Sequence, residues 1–130
     1  MDLVEFLRDR LARDERIAQA CAGAPWKATP AGTINTDVSE DEGEREPAFV
    51  ATVENGAYAE HIARHDPSRT LREVAAARRI IDDYEKETWI LTQGHGTPEL
   101  EAARAARESV LRLLALPYAV HPAYQEEWRP

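Results

Sequence analysis

The chain has 130 residues, of which 43% are apolar and 31% charged, and its formal net charge is −8. This size and balance predict one globular domain over residues 1–130 and exclude a disordered chain, while the negative charge argues against general nucleic-acid binding. One cysteine excludes an internal disulfide, and neither a signal peptide nor an apolar run of ~20 residues is found, so we expect a cytoplasmic protein with no membrane partner.

The first predicted element is a helix within residues 1–22. Its apolar positions recur at three- and four-residue steps, and they are Leu3, Leu7, Leu11, Ala18 and Cys21, with Phe6 and Ile17 widening the stripe. Asp2 is placed to cap the helix, and Gly23 and Pro25 are placed to end it. Cys21 is predicted to be a small buried hydrophobe, because the sequence places no basic neighbours beside it.

A small antiparallel β-meander is predicted over residues 26–54. Short segments rich in Thr, Val and aromatic residues predict strands near 26–29, 33–36 and 48–53, and Asn55-Gly56 is expected to close the last strand. The intervening acidic segment 37–46 carries six acids and one arginine, which is typical of a solvated connection. A calcium loop is the alternative, but the ligand spacing of an EF-hand is absent.

The region 56–116 is predicted to be helical. A short helix of about two turns lies in "AYAEHIARH", and Asp66-Pro67 then starts a long helix. The apolar seam of this long helix is Val74, Ala77, Ile81, Tyr84, Thr88 and Leu91. "GHG" at 94–96 stops it, and Thr97-Pro98 starts a last helix whose inward residues are Leu100, Ala103, Val110, Leu111 and Leu114. The short link between the two helices predicts an antiparallel hairpin.

Residues 117–130 form a tail with three aromatic residues, which we expect to pack back onto the helices. The predicted fold class is therefore α+β and mainly helical. It comprises an N-terminal helix, a small antiparallel meander, a short helix and a long antiparallel helical hairpin.

His61 and His65 form the clearest candidate for a site. They lie one helical turn apart, a spacing that helical two-histidine metal sites use, and Asp66 follows directly. This pattern makes His61, His65 and Asp66 candidate ligands of Zn or Ni, with His95 or His121 as further ligands supplied by folding. The glutamate of an H-E-x-x-H protease is missing, and the structural interpretation, a capped helix corner, explains more of the pattern.

An interaction surface is the other functional hypothesis. Five arginines make residues 64–79 locally basic, although ion pairs on a solvated helix face explain them more simply. Ile80, Trp89 and Ile90 lie off the seam of the long helix, so the sheet, the tail or a second subunit must cover them. A homodimer or another protein partner is therefore expected. No phosphate-binding glycine loop, G-x-S-x-G or Cys-His pair is present, and we expect no enzyme and no catalytic residue.

Several segments resemble a family of small uncharacterised proteins from actinobacteria, Streptomyces and relatives, which has no established function. They are "MDLVEFLRDRL", "APW", "HIARHDPSRTLREVAAARRII" and "LRLLALPYAVHPAYQEEWRP". A more distant resemblance links the chain to phage-like proteins with a Pro-Trp strand. Many family members place a Cys/His-rich insertion before the "LRLLALPYA" block, where this chain has "ETWILTQGHGTPELEAARAARESV". Because the family has no established activity, the resemblance carries no activity and no zinc function over to this chain. From the residues themselves we expect a non-enzymatic binding or interaction module, with a metal- or small-ligand-binding protein as the alternative.

Overall fold

A computed structural model of the protein describes residues 1–21, 25–37 and 46–130. The elements in chain order are α1 (Leu3–Ala20), β1 (Trp26–Ala28), β2 (Thr33–Thr36), β3 (Phe49–Thr52), α2 (Gly56–Arg64), α3 (Pro67–Thr92) and α4 (Pro98–Ala115). The predicted α+β, mainly helical fold is confirmed. Contacts divide the chain into unit 1, which is Met1–Arg13 with Val74–Pro130, and unit 2, which is Asp14–Glu73. The single domain over 1–130 stays a prediction.

Unit 2 contains the predicted meander. The three strands pair antiparallel in the order β1-β2-β3, with Ile34 of β2 opposite both Ala28 of β1 and Ala51 of β3. A small sheet is marginal alone, and here α2 packs against β1 and β2. The side chains buried between the helix and the sheet are Ile34, Ala59 and Ala63.

The segment between β3 and α2 has a second role besides the predicted one. Asn55-Gly56 follows the end of β3, and Asn55 also caps α2 by accepting a hydrogen bond from the backbone N–H of Tyr58 at 3.0 Å. The turn between β1 and β2 contains Gly32, where φ is +92° and a Cβ would lie 2.5 Å from the carbonyl oxygen of Val53. Only glycine fits such a backbone without strain.

Unit 1 holds the larger core. Asp2 caps α1 as predicted, and it does so in a reciprocal capping box: its carboxylate accepts from the Glu5 N–H, and that of Glu5 accepts from the Asp2 N–H, both at 2.9 Å. The buried residues are Phe6, Leu7, Leu11, Val74, Ala77, Ile81, Leu111, Ala115 and Trp128. The aromatic tail packs back as expected, since the rings of Trp128 and Tyr124 lie 5.0 and 6.0 Å from that of Phe6.

Polar contacts join α3 and α4. Arg104 donates to the Thr88 hydroxyl at 3.1 Å and to the Tyr84 hydroxyl at 3.2 Å, and Arg107 donates to the Glu87 carboxylate at 2.8 Å. Thr97 caps α4 as predicted by accepting from the Leu100 N–H at 3.1 Å. The two helices form the helical hairpin that the short link predicted.

Three apolar positions are exposed where the sequence predicted burial. Cys21 is exposed and its thiol donates to the Ile17 carbonyl at 3.3 Å, so the prediction of a buried hydrophobe was wrong. Ile17 and Val110 are exposed as well. Periodicity marks an apolar helix face, but only the packed part of that face is covered. The predicted helix end at Gly23 and most of the acidic segment, 38–45, lie outside the described residues.

Within the described ranges, no helix combines the length and the apolar character needed to cross a membrane.

Candidate functional site

The corner between α2 and α3 is built around Asp66. This carboxylate is only 6% exposed, and the described residues include no other buried charged side chain. Its Oδ1 accepts from the Arg69 N–H at 2.8 Å, which caps α3, and its Oδ2 accepts from the Trp26 N–H at 2.9 Å. Asp66 thus joins the start of α3 to the start of β1. The predicted cap is confirmed, and the second hydrogen bond is new.

The structure brings the two histidines of this corner together. The rings of His61 and His65 lie 4.5 Å apart, and both side chains are exposed at the end of α2. Nδ1 of His65 lies 2.8 Å from the carbonyl oxygen of His61. Since a carbonyl can only accept, this nitrogen is the donor, and in the neutral ring the lone pair is then on Nε2 of His65. The pair could therefore offer nitrogen ligands to a metal or a small ligand.

A third ligand is harder to place. Both oxygens of Asp66 are bonded to backbone N–H groups, so the carboxylate has a structural task. His121 lies in unit 1, where its ring packs 5.7 Å from that of Phe6 and its Nδ1 accepts from the Ala123 N–H. In the part of the chain that the structure describes, no group of three or more His, Cys, Asp or Glu side chains is arranged to hold a metal ion. The site of His61, His65 and Asp66 stays a prediction.

The arginines around this corner pair along their own helices. Arg64 lies 3.3 Å from Glu60, Arg69 lies 2.7 Å from Glu73, and all four side chains are largely exposed. Both pairs have the i,i+4 spacing of a solvated helix face, and such pairs contribute little to stability or recognition. These contacts fit the simpler of the two interpretations of the basic segment.

Unit 1 contains an open cleft of about 1030 Å³. The N-terminal turns of α1, the second half of α3, the end of α4 and the C-terminal tail line it. Its apolar lining includes the half-buried Leu3, Val4 and Tyr84 and the exposed Trp89. Leu111 and Trp128 also line it but belong to the core and are 0% and 6% exposed, whereas Trp89 is 63% exposed. The cleft therefore combines a half-buried apolar floor with one large aromatic side chain that is largely exposed.

The charges around the cleft are mostly negative. Asp2, Glu5 and Glu127 are exposed carboxylates. Arg8 donates hydrogen bonds to Glu85 and to Asp82, both at 2.9 Å. Both bonds raise the pKa of the Arg8 guanidinium, and the bond to Glu85 has the larger effect. The positive charge of Arg8 is thus held by the protein itself. Because Arg8 is paired with these two carboxylates, it is not free to bind an anion.

Comparison with known proteins places the chain in a family. The sequence model described as a family of unknown function, DUF6221, matches residues 1–130. The chain belongs to this DUF6221 family. Membership confirms the resemblance to a family without established function. Neither the comparison with curated proteins nor the comparison with solved structures found a match.

The cleft of this DUF6221 member was only partly foreseeable. Trp89 could be singled out because it lies off the seam of α3. The carboxylates that surround it could not, because Glu5, Glu85 and Glu127 come from α1, α3 and the tail. No sequence spacing joins residues so far apart in the chain. Their convergence depends on the tail packing back over Phe6.

Proposed function

We propose that this DUF6221 protein is a non-enzymatic binding module of the actinobacterial cytoplasm, and that it binds a protein partner in the unit 1 cleft. The observation that carries the proposal is Trp89, which stands 63% exposed beside the apolar floor. Tryptophan is the side chain most enriched at the energetic centres of interfaces, because it offers a large rigid area at little entropic cost. An exposed tryptophan over an apolar cleft therefore favours binding.

The polar groups of the cleft support a binding role over a catalytic one. Asp2 and Glu5 are engaged with each other's backbone N–H groups. Arg8 is engaged with two carboxylates, and Arg112 donates to the backbone carbonyl of Glu127 at 3.2 Å. These groups hold the helix end and the tail in place. Catalysis would instead favour an acid, base or nucleophile aimed at a substrate.

Affinity capture with two matched variants tests the proposal. Trp89→Glu places a charge in the cleft, and Tyr58→Glu places one at an equally exposed aromatic position of α2, which is 56% exposed. We expect the wild type and Tyr58→Glu to retain the same partner from a cell lysate and Trp89→Glu to lose it. Retention by all three proteins, or loss from both variants, contradicts a role for the cleft.

A second copy of the chain is the other candidate partner. Ile80 and Ile90, which also lie off the α3 seam, are half-buried, and Ile80 packs against the core of unit 1. Trp89 is the one of these three side chains that stays largely exposed, so a homodimer would place Trp89 in its contact. Sedimentation of the wild type beside Trp89→Glu tests this. A wild type that stays monomeric at high concentration contradicts the homodimer.

A metal- or small-ligand-binding protein is the alternative function. The neighbouring and exposed rings of His61 and His65 favour it, because they present nitrogen atoms on one helix face. Zinc or nickel is the metal that such nitrogen ligands suit. Titration of the wild type and of His61→Ala with zinc tests the alternative, which requires tight binding that the substitution abolishes.

A further inference from the structure

We infer that the partner of the unit 1 cleft is cationic, and that it enters as a protein segment combining lysine or arginine side chains with apolar ones. The inference rests on the proposed function of the cleft and adds the chemical class of the partner. It follows from the charges that line the cleft, from the state of its two arginines and from the position of Trp89.

The lining has an excess of negative charge. Among its side chains, five carboxylates and two guanidinium groups leave three negative charges in excess, and the residues are Asp2, Glu5, Arg8, Glu85, Glu108, Arg112 and Glu127. Unit 1 as a whole has 12 acidic and 10 basic side chains, a net charge of −2, which has the same sign as the lining. Fields of this kind raise the local concentration of cations and repel phosphates and acidic chains.

Both arginines of the lining are already neutralised from within the protein. Arg8 bonds to Asp82 and Glu85. Arg112 lies 3.6 Å from Glu108. By contrast, Glu127 and the two carboxylates of the capping box have no cation within ion-pair distance among the described residues. An acidic partner would therefore find no free cationic side chain among these lining residues, whereas a basic partner would find carboxylates.

Trp89 fits the same class of partner. Its exposed ring can receive a guanidinium or ammonium group over its face, an interaction strongest with tryptophan among the aromatic side chains. The half-buried Leu3 and Val4 offer no charge in this cleft and suit an apolar side chain. A small polycation would leave this apolar surface unfilled, and a second copy of the chain would bring the same excess of carboxylates to the contact. An amphipathic basic segment satisfies both features.

A pair of designed peptides provides the probe. One is an 18-residue amphipathic helix of leucine and lysine, and the other has glutamate at every lysine position. The protein is labelled with 5-fluorotryptophan, and Trp89→Phe identifies the fluorine resonance of Trp89. We expect the lysine peptide to shift the Trp89 resonance, with a Kd that rises steeply with salt, and the glutamate peptide to leave it unchanged.

Two double variants localise the charge effect. Glu5→Gln with Glu127→Gln removes two carboxylates of the cleft, and glutamine at position 5 can still complete the capping box. Asp37→Asn with Glu54→Gln removes two exposed carboxylates of unit 2 as the control. The first variant should raise the Kd of the lysine peptide roughly 2- to 30-fold, the range expected for two solvent-exposed pairs, and the control should change it less.

Any of three results would overturn the inference that the partner is cationic. The glutamate peptide could bind as tightly as the lysine peptide, the control variant could lose as much affinity as the cleft variant, or the Trp26 resonance could shift in place of the Trp89 resonance. A neutral or acidic protein captured through Trp89, or a Trp89-dependent homodimer, also overturns it, but leaves a binding function of the cleft standing. If no partner or peptide depends on Trp89, both the inference and the proposed function fail.

Discussion

Replacing Asp66 by alanine should cost more stability than an ordinary helix cap. The carboxylate accepts from the Arg69 N–H at 2.8 Å and from the Trp26 N–H at 2.9 Å, and it is 6% exposed. Loss of the cap costs about 1 kcal/mol. The partly buried backbone N–H of Trp26 would also lose its acceptor. Leaving such a donor unsatisfied costs about 1–3 kcal/mol. We therefore expect the free energy of unfolding of Asp66→Ala to fall by about 2–4 kcal/mol.

Urea denaturation followed by circular dichroism measures this loss. With a slope of about 2 kcal/mol per molar urea, the midpoint should fall by about 1–2 M. Thr97→Ala is the matched control, because Thr97 caps α4 through a single hydrogen bond to the Leu100 N–H and should cost about 1 kcal/mol. Asp66→Asn keeps one acceptor oxygen and should fall between the two.

The reasoning is refuted if Asp66→Ala loses no more stability than Thr97→Ala, because the bond to Trp26 would then contribute nothing. A different result would support the metal hypothesis. If Asp66→Ala kept its full stability but lost tightly bound zinc or nickel, the carboxylate would be a ligand and its role as a cap would be minor.

Three further predictions follow from the two units. Trp128→Ala should lower the free energy of unfolding by about 3–5 kcal/mol in denaturant titrations, because it removes a buried ring that packs on Phe6, and a loss below 1 kcal/mol contradicts that packing. Gly32→Ala should cost more than about 1 kcal/mol, since φ is +92° and the new Cβ would meet the Val53 carbonyl, whereas Gly94→Ala, with φ +77° and open space, should cost less. Protein purified without an affinity tag should contain far less than one equivalent of zinc or nickel by mass spectrometry, because Asp66 is committed to backbone N–H groups; about one equivalent would restore the histidine site.

The elements of the fold could be predicted because their signals are local. Asp66-Pro67 and Thr97-Pro98 start α3 and α4 where the sequence placed them, and the strands lie within one residue of the predicted bounds. Caps and turns depend on neighbours within four residues, and that information is contiguous in the chain. At Asn55-Gly56 the same signals predicted the end of β3 but not the cap of α2, because a turn after a strand and a cap before a helix favour the same residue types.

Burial was harder to predict than secondary structure. Leu7, Leu11 and Phe6 are buried as their stripe indicated, whereas Ile17 and Cys21 extend the same stripe and are exposed. Periodicity states which side of a helix is apolar and does not state how far along the helix the covering elements reach. That extent depends on where the tail and the other helices pack.

The sequence by itself determined the order and type of the elements, the caps of α1, α3 and α4, and the return of the aromatic tail, because these depend on local hydrogen bonds and on the need to bury large rings. Only the tertiary structure decided that Asp66 also holds β1, that Arg104 and Arg107 bond across the hairpin, and that a cleft with acidic edges forms beside Trp89. Each of these features joins residues distant in the chain. Such contacts are set by how whole elements pack, and no residue spacing encodes that packing.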